Sequence, residues 1–393
     1  MPNARDLQPL PVPPGTGALD VLPALRRALD GDGPALLPVA ADAPEEAQRL
    51  VTALGGPLNP GEDAEDDPTS LVIATSGSTG TPKGVLLPAG SLRASAEATH
   101  RRLGGPGSWL LAVPAHHVAG VQVLVRALLA GTTPRAVDTS AGFRPDAFAA
   151  AAREALTSND PHYTALVPTQ LSRLLNDGGE GLSALRGFDA VLLGGAATPP
   201  ALLARALDSG VAVTTTYGMS ETAGGCVYDG VPLDITEVDL DGEPGPIRLT
   251  GPMLARGYRN QPGAEAFAGG WFRTGDLGRF TDGRLEVLGR ADDVITTGGE
   301  KVAPLPVERV LTEQPGVREA CVLGVEDPEW GQAVVAAVVP DPAANLDANA
   351  LRDAVRERLG AAATPKRIAL LDELPLRGPG KPDRRALAEQ LTC

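Results

Sequence analysis

Lysine is scarce in this chain. Of 34 lysines and arginines only four are lysines: Lys83, Lys301, Lys366 and Lys381. A chain that writes arginine elsewhere but keeps lysine at glycine-rich loops needs a compact, mobile ammonium there, not a planar fork. Cysteine is scarcer still. Cys226, Cys321 and Cys393 lie far apart with no Cys-x-x-Cys pair, so neither a disulfide framework nor a zinc site is supported. Cys226 reads as a packing residue rather than a reactive thiol. No apolar run approaches the ~18 residues of a bilayer span, so no membrane insertion is expected. The N-terminus, rich in proline and acid, lacks the basic-then-apolar layout of a secretory leader. The cytoplasm is the expected compartment. A formal net charge of −15 argues against a nucleic-acid surface but permits anionic small ligands held by local donors or magnesium.

What is present fits a globular chain of 393 residues, 43% hydrophobic and 21% charged, long enough for two or three domains. Helices are expected around Ala18–Leu29 and Pro44–Leu54, and the acidic run Glu62–Asp67 reads as an exposed loop. From Leu71 apolar runs alternate with amphipathic segments, the rhythm of an α/β fold. Asp189–Leu193 and Val211–Thr216 read as strands joined by a turn at Gly194–Ala197 and a helix that Gly210 ends. If parallel, these strands open their loops at one carboxyl edge, where α/β sheets bind ligands. A second strand-to-helix step is expected at Tyr163–Asn176, with Thr169 as N-cap. Composition changes near Gly289. The expected division is residues 1–290, a large domain of mixed sheets with flanking helices, and residues 291–393, a small α+β domain.

Five stretches carry chemistry. The run Thr75-Ser76-Gly77-Ser78-Thr79-Gly80-Thr81-Pro82-Lys83-Gly84 follows a buried strand and offers N–H groups, hydroxyls and an ammonium suited to a polyphosphate. It is not a Walker A loop, because Pro82 precedes the lysine and Gly84 follows it. Tyr217-Gly218-Met219-Ser220-Glu221-Thr222 sets an aromatic face beside hydroxyls and a carboxylate, although such residues at a strand end also serve structure. In Trp271–Asp276 the carboxylate of Asp276 can accept from two ribose hydroxyls or simply close an Asx turn. Gly289–Lys301 joins a charged segment to a glycine loop. Leu374–Arg384 puts Lys381 at a loop tip, as a solvated lysine or a catalytic one.

In this order the five stretches resemble the adenylate-forming superfamily over about Leu71 to Leu391. The resemblance implies ATP-dependent activation of a small carboxylic acid to an acyl-adenylate, then transfer to a thiol, commonly coenzyme A. It implies that Thr75, Ser76, Gly77, Ser78, Thr79, Gly80 and Lys83 hold the β- and γ-phosphates. Gly195, Ala196, Tyr217 and Gly218 would frame adenine. Ser220 would touch the α-phosphate, Glu221 bind Mg2+, and Asp276 and Arg290 meet the ribose. Asp292 would be the hinge of a mobile C-terminal domain. Lys381 would bridge the attacking carboxylate and the α-phosphate, while Gly298 and Gly299 line the coenzyme A tunnel.

Short length, the histidine-containing stretch and Gly298-Gly-Glu-Lys-Val302 resemble the branch that ligates o-succinylbenzoate to coenzyme A in menaquinone biosynthesis. That resemblance puts His117 and Gly194 at the acid. Arg126, nine residues beyond His117 in an apolar helix, is either a structural ion pair or an anchor for a second carboxylate. Another aryl- or acyl-CoA ligase, or a freestanding enzyme loading a carrier protein, stays open, as does a homo-oligomer.

Overall fold

The computed structural model describes residues 5–76, 82–341, 344–377 and 381–392. Two compact units emerge. The first takes the chain to Gly195 with Ala206–Val238 and Leu249–Arg273; the second takes Ala196–Arg205, Asp239–Arg248 and the chain from Thr274 onward.

The first unit contains two sheets. A five-stranded sheet runs in the order Leu7–Val12, Ala35–Ala40, Thr69–Ser76, Pro82–Pro88 and Gly257–Tyr258. Leu71, Val72 and Ile73 are buried on both faces, as a continuous apolar run predicts for a covered strand. The second sheet has seven strands. Its central members Ser108–Leu111, His162–Leu166, Ala190–Leu193 and Val213–Met219 are all parallel, so their carboxyl ends share one edge. Gly224–Tyr228 then doubles back antiparallel on the last of them. The helix Val118–Ala130 is buried through most of its length, and it ends at Gly131 in the left-handed conformation at φ 70°.

The second unit holds most of a four-stranded sheet, Glu237–Leu240, Gly245–Thr250, Phe272–Thr281 and Arg284–Arg290. It also holds a sheet centred on Val317–Asp327 and Gly331–Pro340. Strand alternation sorts the latter's side chains cleanly. Val334, Ala336 and Val338 pack with Val307, Leu311, Leu351 and Val355 of two helices. Val335, Ala337 and Val339 face Leu387 and Leu391 of the last helix.

Several expectations change. The first expected helix is a 3-10 turn, Gly15–Val21, followed by an α-helix, Leu22–Leu29. Thr169 is not an N-cap, because Pro168 already occupies the first turn of the helix Pro168–Asp177; Gln170 Oε1 instead accepts the Val167 N–H at 3.0 Å. The second compact unit takes the chain continuously from Thr274. Residues 274–290 of the hairpin Phe272–Arg290 group with the later chain, where Arg309 pairs with Glu286 and donates to the Val287 carbonyl at 3.0 Å. Glu62 is not an exposed loop acid. It is buried against Arg259 and accepts N–H groups of Asn59 at 2.7 Å and Asn260 at 2.6 Å. Burial alone would raise the Glu62 pKa, but those N–H groups and the guanidinium outweigh it and hold the carboxyl below its usual range.

Candidate active site

In the first unit the carboxyl edge of the seven-stranded sheet gathers several of the residues singled out from the sequence. Each parallel strand delivers one loop. After Ser108–Leu111 comes His117, half-buried, its ring 4.2 Å from that of His116, and it stands as N-cap residue of the helix Val118–Ala130. After Ala190–Leu193 come Gly194 and Gly195, and after Val213–Met219 comes the 3-10 turn Ser220–Thr222. Gln170, also at this edge, spends its amide on backbone: Nε2 donates to the Ala112 carbonyl at 2.7 Å, tying two neighbouring loops together.

The turn that carries Ser220 and Glu221 is built by its neighbours. Thr222 Oγ1 accepts the Met219 N–H at 2.9 Å and donates to the Gly224 carbonyl at 2.7 Å. Gly218 is required there, because a Cβ would sit 2.1 Å from the Gly224 carbonyl oxygen. Tyr217 is half-buried and Ser220 buried.

The residues flanking the glycine run meet through pairing between strands. Thr75 stands opposite Lys83 in the antiparallel pair. Gly77, Ser78, Thr79 and Gly80 lie outside the described residues, and Ser76 is described in its backbone alone. A residue that sequence reasoning missed joins this part of the site. Tyr258, on the strand beside Pro82–Pro88, donates its hydroxyl to Glu221 Oε1 at 2.8 Å, and its ring lies 5.1 Å beneath the Lys83 ammonium. One tyrosine therefore contacts both the carboxylate and the lysine, although it lies 37 residues from Glu221 in sequence and farther still from Lys83.

Among the described residues Arg126 is buried without the acid that a structural ion pair needs. It lies about 13 Å along the helix from His117 by the α-helical rise. Its guanidinium is buried, sits 5.1 Å from the Trp109 ring centroid and reaches the Tyr228 hydroxyl only at 3.5 Å. No carboxylate among the described residues pairs with it, and its Nε makes no hydrogen bond. Gln122, one turn earlier, packs against Gly224, and its Oε1 is likewise buried without a partner. His100 Nε2 and Trp109 Nε1 complete a group of buried, unsatisfied polar atoms around this arginine. Burial, helped by Arg126, lowers the His100 pKa to about 4. The ion-pair alternative for Arg126 therefore lacks its acid.

In the second unit Asp276 and Arg290 are direct cross-strand partners, with Arg290 Nη1 3.4 Å from Asp276 Oδ1. Asp276 is buried, and its N–H donates to Thr274 Oγ1 at 3.0 Å. Arg290 also reaches Asp292 at 3.6 Å. Gly298, at φ +57°, begins the turn that joins two short strands; a Cβ there would lie 2.7 Å from the exposed Trp330 ring. Gly299 follows it in the same turn. Trp330, which the sequence reading did not single out, carries the Lys366 ammonium 4.1 Å from its centroid. Lys381 pairs through its backbone with Arg377. Ala196 opens the segment Ala196–Arg205, which is grouped with this unit. Burial pushes the thiols of Cys226 and Cys321 up to about 12, which fits packing rather than reactivity.

Among the described residues no three His, Cys, Asp or Glu side chains gather as a ready metal site, and no helix is long and apolar enough to cross a membrane. A family model described as AMP-binding enzyme matches residues 20–259, and one for the AMP-binding enzyme C-terminal domain matches residues 306–381. The chain is 45% identical, over 98% of each chain, to a Mycobacterium tuberculosis protein named probable 2-succinylbenzoate–CoA ligase. It is 36% identical to the 2-succinylbenzoate–CoA ligase of Geobacillus kaustophilus, over 92% of this chain and 76% of that one. Among solved structures, the o-succinylbenzoate CoA synthetase of Bacillus subtilis with its acyl-adenylate intermediate aligns at TM-score 0.74 and 26% identity, covering 97% of this chain and 88% of that one.

Proposed function

The chain belongs to the AMP-binding enzyme family, and from that premise we propose that it activates o-succinylbenzoate with ATP and transfers the acyl group to coenzyme A. The observation that carries the choice of acid is Arg126, a buried guanidinium with no carboxylate partner among the described residues. An uncompensated buried cation is costly, and a diacid supplies the missing anion through its second carboxylate. The similarity to 2-succinylbenzoate–CoA ligases supports the same reading.

The residues then take these parts. Thr75, Lys83 and the loop between them hold the outer phosphates, with Gly195, Ala196, Tyr217 and Gly218 around adenine. Asp276 accepts from the ribose hydroxyls beside Arg290, and Ser220 donates to the α-phosphate. His117 and Gly194 border the acid. One carboxylate oxygen of the acid attacks the α-phosphorus, and the bond to pyrophosphate breaks. Like charges repel on this approach, and Lys381 and Lys83 lower that barrier electrostatically. Glu221, steadied by Tyr258, fits Mg2+, which favours one or two carboxylates completed by substrate phosphates. When bound, that ion would screen the phosphate charge. In the second half-reaction the thiolate of coenzyme A, entering past Gly298 and Gly299, attacks the acyl carbon and AMP leaves. Asp292 serves as the pivot between the two arrangements.

The test is pyrophosphate release and thioester formation with ATP, magnesium and a panel of o-succinylbenzoate, benzoate, salicylate and medium-chain fatty acids. A strong preference for o-succinylbenzoate is expected and would place the enzyme in menaquinone synthesis. Preference for a monoacid would sink the diacid reading, and pyrophosphate without thioester would point to a carrier protein.

A further inference from the structure

Arg384 is the most heavily committed cation in the second unit outside the site described. It is half-buried at the first turn of the last helix, Arg384–Thr392. Its Nη2 donates to Glu308 Oε1 at 2.8 Å, its Nε lies 3.2 Å from Asp293 Oδ2, and its Nη1 donates to the Val322 carbonyl. Glu308 Oε1 also accepts the Val322 N–H at 2.8 Å. Burial alone would lower the pKa of this guanidinium, but the two carboxylates outweigh it and keep the charge in place.

The helix does not need these contacts to form or dock. Asp383 Oδ1 already caps it by accepting the N–H groups of Arg385 and Ala386, each at 3.1 Å. Leu387 and Leu391 already bury it against Val335, Ala337 and Val339. What the guanidinium adds is a link between two functional segments. On one side is the short hairpin of Leu376–Arg377 and Lys381–Pro382, closed by the Asp383 N–H on the Pro375 carbonyl at 2.7 Å. On the other is Asp293, in the 3-10 turn Ala291–Asp293 next to Asp292, which in turn pairs with Arg290.

We propose that Arg384 is a positioning residue for adenylation: it ties the backbone bearing Lys381 to the hinge turn, so that lysine and pivot move as one body. The assignment rests on the reading of Lys381 as the adenylation lysine and of Asp292 as the hinge. A lysine that must meet the α-phosphate is sensitive to displacement, since an error near 1 Å costs on the order of 10²-fold in rate. The thiolation step does not use that lysine and is insensitive to the same displacement.

The experiment measures both half-reactions separately, acyl-adenylate formation from ATP and thioester formation from supplied acyl-adenylate, in Arg384→Gln, Asp293→Asn and Lys381→Ala. Arg384→Gln should slow adenylation on the order of 10²-fold and leave thioester formation within about twofold. Asp293→Asn, which keeps the fold's shape and removes one contact, should show the same split at smaller size. It carries the test should Arg384→Gln not fold. Equal losses in both half-reactions, or none in either, overturn the assignment while Lys381→Ala still blocks adenylation. Unimpaired adenylation in Lys381→Ala overturns the underlying reading, and the assignment with it.

Discussion

Two arginines are buried in the first unit to nearly the same depth, Arg126 at 3% exposure and Arg259 at 4%. Their surroundings differ completely. Arg259 pairs with Glu62 and donates to the carbonyls of Leu54 at 3.0 Å, Gly55 at 3.1 Å and Pro57 at 2.7 Å. Arg126 has an aromatic ring, a distant hydroxyl and no acid among the described residues. The first arginine stitches residues 54–62 to the strand Gly257–Tyr258 and is fully used by the fold. The second is desolvated without compensation, as expected of a group whose counter-ion arrives with the substrate.

Removing each cation should separate the two cases. Arg259→Met leaves Glu62 buried and unpaired, so it should lose about 3–5 kcal/mol of stability, measured by urea unfolding. Arg126→Met removes a charge that no acid among the described residues pairs with, and its stability should be unchanged or higher in the same measurement. Matching losses in the two variants would dissolve the distinction. A smaller effect is expected at Tyr258→Phe, which strips the hydroxyl from Glu221 but keeps the ring under Lys83. Affinity for magnesium-loaded ATP, read by calorimetry as well as by rate, should fall about tenfold, with ATP affinity in the absence of magnesium nearly unchanged.

A pH dependence is also expected at the edge of the Arg126 cluster. Burial and the neighbouring guanidinium bring His100 from its ordinary 6.5 down to about 4 in the folded protein. The unfolded chain therefore takes up this proton first as pH falls. The stability contributed by neutral His100 is complete above about 6.5 and drains away as pH drops towards 4. In His100→Gln the decline between those two values should be shallower by about 1–3 kcal/mol in total; an unaltered slope would mean that His100 titrates normally.

This contrast also marks what the sequence could and could not reveal. The strand-to-loop motifs were legible because each is local: Leu71–Ala74 before its glycine loop, and the parallel strands that put Gly194 and Ser220 at one edge. Arg126 was legible as an anomaly, a charge in an apolar helix, but its lack of an acid is a property of the packed core. Glu62 was misread because its partner stands 197 residues away. Nothing in an acidic run distinguishes the one carboxylate that folds inward. Tyr258 was invisible for the same reason, since it meets Glu221 and Lys83 only through strand pairing. The helix start at Pro168 was misjudged where a local rule was available: proline fixes the first turn and displaces the cap to Val167.

The central claim is that Arg126 receives the second carboxylate of a diacid, and one comparison tests it most directly. It is kcat/KM for o-succinylbenzoate against its analogue lacking the second carboxylate, in the unaltered enzyme and in Arg126→Met. The unaltered enzyme should prefer the diacid by on the order of 10²-fold, the scale of a buried charge-assisted pair, and the variant should lose that preference while its KM for ATP stays the same. A preference that survives the loss of Arg126 would contradict the claim.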